Sequence, residues 1–214
     1  MKIASIIPVF NEQKTVGKVV RTVIDSGLFS EVICIDDGSN DHTYDILKKF
    51  GSRIRRIHLS KNRGKGYALA KGVESARSGV IMLLDADLVG LTKAHLKAMI
   101  NGLKGHRGVV GNPTERSYPA WHPVWLRRAL MGTYHDIFSG ERVYYRRDLL
   151  KLVPKLRTAG NADVVLFNRA IRDAKVVNLY GVYCTTKQEK VGMTEAVRSY
   201  FKEFFEIARH MGEK

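Results

Sequence analysis

The strongest constraint on the fold is an alternation. Short strand-like runs at residues 3–9, 32–35, 54–59 and 80–84, all largely apolar except the third, which carries Arg55, Arg56 and His58, are separated by stretches patterned for helices. The run at 3–9 is apolar almost without a break, as a strand buried on both faces must be. After it, Val16, Val19, Val20, Val23 and Ile24 recur at helical spacing, with Gly27 as the stop. Helices are likewise expected up to Phe50 and over 63–77. Strand, helix and strand in this order predict right-handed βαβ crossovers and an α/β fold: a Rossmann-like, mostly parallel central sheet flanked by helices. Further along, the pattern predicts a loop over 105–123, a strand around 143–146, a helix over 161–173, a strand near 176–180 and a last helix over 194–210.

Open α/β sheets bind ligands at the carboxyl ends of their strands. The second run ends in Asp36-Asp37 and the fourth in Asp85-Ala86-Asp87, so both acidic groups arrive at one edge of the sheet. Asn11 and Glu12 join them from the first run. At the frayed end of a strand, residues two apart point the same way, so Asp85 and Asp87 can address one cation, or one cation and a ribose. Mg²⁺ or Mn²⁺ held in this manner keeps positions open for diphosphate oxygens. No Gly-x-Gly-x-x-Gly follows the first strand and no Gly-x-x-x-x-Gly-Lys-Ser/Thr is present, which argues against the usual dinucleotide and P-loop folds.

Charge narrows the partners. With 36 Lys and Arg against 21 Asp and Glu, the net charge is +15, which points to nucleic acid, a membrane surface or phosphorylated substrates. No acid occurs between Asp45 and Glu74, nor between Arg116 and His135, where Arg127 and Arg128 stand beside Tyr118, Trp121 and Trp125. Cys34 and Cys184 make neither a metal spacing nor a disulfide framework, which fits a cytoplasmic protein. No apolar run approaches the ~18 residues of a membrane span. His95, His106, His122 and His135 show no paired metal spacing, with His106 and His122 as candidates for a place near the site.

Four motifs carry a resemblance: Ile7-Pro8-Val9-Phe10-Asn11-Glu12, Ile35-Asp36-Asp37-Gly38-Ser39-Asn40-Asp41, Asn62-Arg63-Gly64-Lys65-Gly66 and Leu84-Asp85-Ala86-Asp87-Leu88. In order and spacing the chain resembles family-2 glycosyltransferases of the GT-A fold. Within them it is most similar to the branch of dolichol- and polyprenyl-phosphate sugar transferases and glucosyl-3-phosphoglycerate synthase. Ser139-Gly140-Glu141-Arg142 followed by Arg146-Arg147 supports that branch. The resemblance implies that Pro8, Phe10 and Glu12, with Asp36 or Asp37, hold the base and ribose of a UDP- or GDP-sugar. It implies that Lys65, near the start of a glycine-opened helix, faces the diphosphate, where helix amides favour anions. Asp85, Ala86 and Asp87 would address ribose and metal, with Asp87 the direct ligand. Asp163 matches the acidic position that faces the acceptor; as a first-turn helix acid it would equally be stabilised by the helix dipole.

The departures bear on the acceptor. Val89 stands where lipid-phosphate mannosyltransferases often carry Gln, and Glu141 where they tend to carry Phe; the second leans toward the phosphoglycerate-type enzymes or toward another acceptor altogether. A phosphate acceptor is already ionised and needs cationic positioning more than a general base. Arg116, Arg127, Arg128, Arg142 and Arg146 could supply it through the bidentate guanidinium fork, with Ser139 and Glu141 beside them. The expected function is therefore metal-dependent transfer of a sugar from a UDP- or GDP-sugar to a phosphate-bearing acceptor, with polyprenyl or dolichyl phosphate favoured. A soluble phosphorylated metabolite is the enzyme alternative. A basic nucleic-acid-binding or nucleic-acid-modifying protein is the alternative of another class, which the charge permits but no nucleic-acid motif supports.

One catalytic domain is expected over 1–192, its donor half about 1–104 and its acceptor half about 105–192, followed by an amphipathic helix in 193–214. Val197, Tyr200, Phe201, Phe204, Phe205, Ala208 and Met211 form that helix's apolar face, with Arg198, Lys202 and Arg209 among its polar positions. Such a face either packs on a core or lies in a membrane interface, where a membrane surface or membrane-protein partner would present a lipid-linked acceptor.

Overall fold

The computed structural model describes residues 1–114, 139–171 and 173–185. The alternation is realised as β1 (Ile3–Val9), α1 (Val16–Asp25), β2 (Glu31–Asp36), α2 (Thr43–Lys48), β3 (Arg55–His58), α3 (Lys65–Ser75) and β4 (Val80–Leu83). The short β5 (Leu88–Val89) follows, then α4 (Lys93–Gly102) and β6 (Gly108–Pro113). Beyond the undescribed stretch come β7 (Arg142–Tyr145), α5 (Arg146–Leu156), α6 (Asp163–Ala170), β8 (Ala174–Leu179) and β9 (Tyr183–Cys184).

Seven strands make one sheet in the order β3-β2-β1-β4-β7-β6-β8, and β5 pairs with β9 in a separate ribbon. Strands β3, β2, β1 and β4 are mutually parallel, as are β6 and β8. Only β7 runs against its neighbours, pairing antiparallel with both β4 and β6. That reversal places the start of β7 at the edge where the parallel strands end.

The core lies on both faces of the sheet, which is why β1 reads as an unbroken apolar run. Ile3, Ile7 and Val9 pack with Val16, Val19 and Val20 of α1, Leu47 of α2, and Leu96 and Met99 of α4. Ala4 and Ile6, on the other face, pack with Leu69 and Val73 of α3, Leu149 and Leu156 of α5, and Phe167 of α6. Each fully buried Ile or Leu contributes about 1.5–3 kcal/mol relative to exposure. Thr92 starts α4 through a capping box with His95.

Two expectations are corrected. The loop expected over 105–123 contains β6, because Val109 and Val110 are buried and pair with β7 and β8 despite the neighbouring Gly, Asn and Pro. The helix expected over 161–173 ends at Ala170, where Ile171 leaves helical geometry (φ −127°), and β8 begins at Ala174. Helices α4 and α5 were not singled out by pattern. The helix expected over 194–210, and with it the 193–214 segment, lies outside the described residues.

Candidate active site

The loops after β1, β2 and β3 are tied to one another before any ligand is considered. Asn11, the one non-glycine described residue at positive φ (54°), donates its N–H to Ser39 Oγ at 2.9 Å and accepts from Asn40 N–H at 2.9 Å. Asparagine tolerates this conformation better than most residues. The Glu12 N–H donates to Thr43 Oγ1 at 2.8 Å, and Glu12 Oε2 accepts from Thr15 Oγ1 at 3.1 Å. Asp36 is fully enclosed, accepting from Ser39 through one oxygen and sitting 2.7 Å from His58 Nδ1 through the other. Asp37 accepts the N–H groups of Arg63 and Gly64, each at 2.8 Å, and so fixes the approach to α3. Burial pushes the Asp37 carboxyl up, against those two amides. Phe10 lies 39% exposed beside this wall, and Pro8 is buried within β1.

The second part of the site gathers around Lys65. Its ammonium lies 2.7 Å from Asp85 Oδ1 and 4.0 Å from Asp163 Oδ2. The approach depends on Gly66, whose N–H donates to Gly160 O at 2.7 Å and whose Cβ, if present, would meet Leu156 O at 2.5 Å. This contact brings the start of α6, with Asp163, onto the start of α3. Burial alone would depress Lys65, but the pull of Asp85 and Asp163 outweighs it and raises the ammonium above its ordinary value. Asp163 is 2% exposed; burial pushes its carboxyl up and Lys65 pulls it down, leaving it raised.

Antiparallel β7 supplies the rest. Gly140 lies so near Asp85 that an added Cβ would sit 2.3 Å from the carboxylate. Ser139 Oγ contacts both Gly111 O and Glu141 Oε2. Glu141 is 1% exposed, and its carboxyl is pushed up to about 7 by burial and then by the charge of Asp85, with Lys65 acting in the other direction. Glu141 Oε1 is buried without a hydrogen-bond partner. Asp87 stands one residue past Ala86, and its backbone carbonyl accepts from Thr185 N–H at 3.3 Å across the β5–β9 ribbon.

The structure thus brings Lys65, Asp85, Asp163 and Glu141 together, with Ala86 and Asp87 adjoining and Pro8, Phe10, Glu12, Asp36 and Asp37 along the same edge. Arg142, expected to bind the acceptor, is enclosed. It is 1% exposed, donating to Ser139 O, Tyr144 Oη and Asn168 Oδ1 at 2.8 Å each, with its guanidinium 5.6 Å from the Phe167 ring centroid. It therefore braces α6 against the start of β7. Ser139 and Glu141 are equally enclosed. His106 is not near this edge: it contacts Asp173 at 3.3 Å, beside the opposite ends of β6 and β8. Arg116, Arg127, Arg128 and His122 lie outside the described residues. Sequence reasoning missed His58, although its position at the end of a third parallel strand was a signal, and it missed the steric role of Gly140, for which no local signal exists. Among the described residues no group of three or more His, Cys, Asp or Glu converges on a metal position. Asp85 and Asp87 would therefore hold a cation with only two carboxylates, and a diphosphate would have to supply other oxygens.

Comparisons with known proteins bear on the family and the fold. The family model described as "Glycosyl transferase family 2" matches residues 5–172. A 4,4'-diaponeurosporenoate glycosyltransferase of Staphylococcus aureus is 29% identical over 143 residues, covering 63% of this chain and 38% of that protein. An undecaprenyl-phosphate 4-deoxy-4-formamido-L-arabinose transferase of Pseudomonas aeruginosa is 27% identical over 181 residues, covering 78% of this chain and 53% of that protein. The chain thus spans about two-fifths to half the length of these curated relatives. Glucosyl-3-phosphoglycerate synthase from Mycobacterium tuberculosis, solved with phosphoglyceric acid, superposes with a TM-score of 0.68 at 20% identity, over 97% of this chain and 80% of that one. The same enzyme solved with Mn²⁺, UDP and glucosyl-3-phosphoglycerate gives 0.67 at 21% identity, over 95% and 78%. The structural likeness shows a shared GT-A fold, and the match over 5–172 makes this chain a member of glycosyl transferase family 2.

Proposed function

We propose that the chain is a metal-dependent glycosyltransferase that moves a sugar from a UDP- or GDP-sugar to a phosphate-bearing acceptor, with polyprenyl or dolichyl phosphate the favoured class. The observation that carries this reading is the ion pair of Asp85 with Lys65, a carboxylate just past a strand end beside a cation at a helix start, with Asp87 two residues further along the chain. The loops bearing Phe10, Glu12, Asp36 and Asp37 would form the wall for base and ribose. Lys65, at the N-terminus of α3, would face the diphosphate, where its charge and the helix amides act together. A bound Mg²⁺ or Mn²⁺, held by Asp87 with Asp85 adjoining, would stabilise negative charge on the departing nucleotide. In the transfer, an acceptor phosphate oxygen bonds to the anomeric carbon as that carbon's bond to the diphosphate oxygen breaks. An ionised phosphate has no proton to lose in this step, so Asp163, on the acceptor side, would orient rather than deprotonate.

The undecaprenyl-phosphate transferase among the relatives supports a lipid acceptor. No helix among the described residues is long and apolar enough to cross a membrane. In this reading a lipid acceptor is met peripherally, at the cytoplasmic face or through a membrane-protein partner, with the 193–214 segment as the contact and Arg116, Arg127 and Arg128 positioning its phosphate. In this reading residues 1–192 are the catalytic domain, with donor and acceptor halves divided near 104. A second reading, transfer to a soluble phosphorylated acceptor, is favoured by Glu141 at a position where lipid-phosphate enzymes tend to carry Phe, and by the likeness to the phosphoglycerate-linked enzyme. Radiolabelled sugar transfer followed by solvent partition separates the two. Label in the organic phase, dependent on Mg²⁺ or Mn²⁺ and on added polyprenyl phosphate, is expected; label confined to water would replace the lipid with a soluble acceptor.

A further inference from the structure

His58 belongs to none of the roles above, yet it ends β3 at the same sheet edge. Its Nδ1 lies 2.7 Å from Asp36 Oδ2, and its ring packs against Tyr44 with centroids 4.4 Å apart and planes inclined by 33°. The Asp36 side chain is 0% exposed, and among the described residues His58 is the one basic group within ion-pair distance of it. A carboxylate only accepts, so His58 Nδ1 must carry the hydrogen. The other Asp36 oxygen accepts from the Ser39 N–H and hydroxyl, and Ser39 Oγ accepts from the Asn11 N–H at 2.9 Å. A continuous series of hydrogen bonds therefore runs from β3, through the loop after β2, to the loop after β1. It ends at Asn11, between Phe10 and Glu12. A buried carboxylate stripped of one charged-group hydrogen bond would shift to find another, and the Ser39–Asn11 junction would shift with it.

We propose that His58 is a positioning residue for the nucleotide wall: by holding Asp36 it fixes the Ser39–Asn11 junction in the shape that receives the nucleotide. This rests on the nucleotide-sugar reading above. Tyr44 is the second part of the device, because its ring limits where the imidazole can lie. The role differs from catalysis in what it predicts: nucleotide affinity should depend on His58, while turnover at saturating donor should not.

The test is calorimetric titration of the full chain with UDP and with GDP in the presence of Mn²⁺, for the wild type and for His58→Ala, His58→Asn and His58→Gln. The Asn amide nitrogen falls near the position of Nδ1, whereas that of Gln reaches past it. We expect His58→Ala and His58→Gln to weaken the nucleotide about tenfold, the loss of one hydrogen bond to a buried charge. His58→Asn should recover most of the affinity, and turnover at saturating donor should change less than about twofold, since an interaction made equally in ground and transition states leaves kcat unaltered. Should His58→Ala not fold, the Asn–Gln pair carries the test, because the two differ in reach and not in chemistry. Wild-type affinity in all variants, equal losses for Asn and Gln, or a fall in turnover without a fall in affinity would each overturn the role of His58 alone. A wild type that binds neither nucleotide would remove the nucleotide-sugar reading, and this inference with it.

Discussion

The loops after β1, β2 and β3 and the segment leading into β7 line one sheet edge, yet they are held by different means. The first three are joined by side chain-to-backbone hydrogen bonds, exposed at Asn11 to Asn40 and part-buried at Glu12 to Thr43, around the buried carboxylates of Asp36 and Asp37. Ser139, Glu141 and Arg142 are instead enclosed at 1% exposure, with Gly140 pressed against Asp85. An exposed link in that wall, such as Asn11 to Asn40, can be lost with the shape kept, because water can replace the partner; the buried link through Asp36 is the exception. A packed seam has no such reserve: one added atom must displace a charged group. The side formed by the loops after β1, β2 and β3 should therefore respond to changes of chemistry, and the β7 side to changes of volume.

The largest effect should come from chemistry at Asp87. Asp87→Ala is expected to lower Mn²⁺-dependent sugar transfer by at least about 100-fold with the fold retained, as loss of a metal ligand does; unchanged turnover would end the role assigned to Asp87. Volume comes next. Gly140→Ala puts a methyl group where the Asp85 carboxylate lies, and should cost roughly 10–100-fold in kcat/KM. If Gly140→Ala behaves as wild type while changes around Asn11 and Ser39 abolish activity, the contrast between the two regions is reversed.

A smaller, pH-dependent effect should appear at Glu141. Its carboxyl holds its proton up to about 7 in the folded chain, against an ordinary value of 4.5. The folded state then binds that proton more tightly than the unfolded state, so the contribution is fully present below about 4.5 and is lost as pH rises through about 7. Thermal unfolding of the wild type should therefore weaken across that window. Glu141→Gln, which keeps a hydrogen at every pH, should weaken less, by roughly 2 kcal/mol at pH 8. Parallel pH curves for the two proteins would show that burial does not hold the proton on Glu141. The smallest effect is expected away from both regions: Thr92→Ala removes the α4 cap and should cost about 0.5–1 kcal/mol in denaturant melts while leaving turnover intact.

The first half of the fold was legible because its signals are local. Apolar runs, helical spacing and Asp36-Asp37 and Asp85-Ala86-Asp87 placed directly after two of those runs predict strands, crossovers and one acidic edge, and β1 to β4 bear them out. Strand β6 was hidden because Gly108, Gly111, Asn112 and Pro113 look like loop residues, and only pairing on both sides with β7 and β8 makes them a strand. The enclosure of Arg142, expected to bind the acceptor, was not legible because a sequence carries no record of burial; Tyr144, Asn168 and Phe167 surround it only after α6 has packed.

By itself, the sequence determined which groups could reach the sheet edge, since a residue at a strand end is carried there by the strand. Only the tertiary structure decided which of them act on one another. Lys65, Asp85, Glu141 and Asp163 are far apart along the chain, and their coupling depends on the reversed direction of β7 and the contact of Gly66 with Gly160. Coulombic and desolvation energies depend on distance and enclosure in space, so the raised carboxyls of Glu141 and Asp163 are properties of the packing and not of any motif.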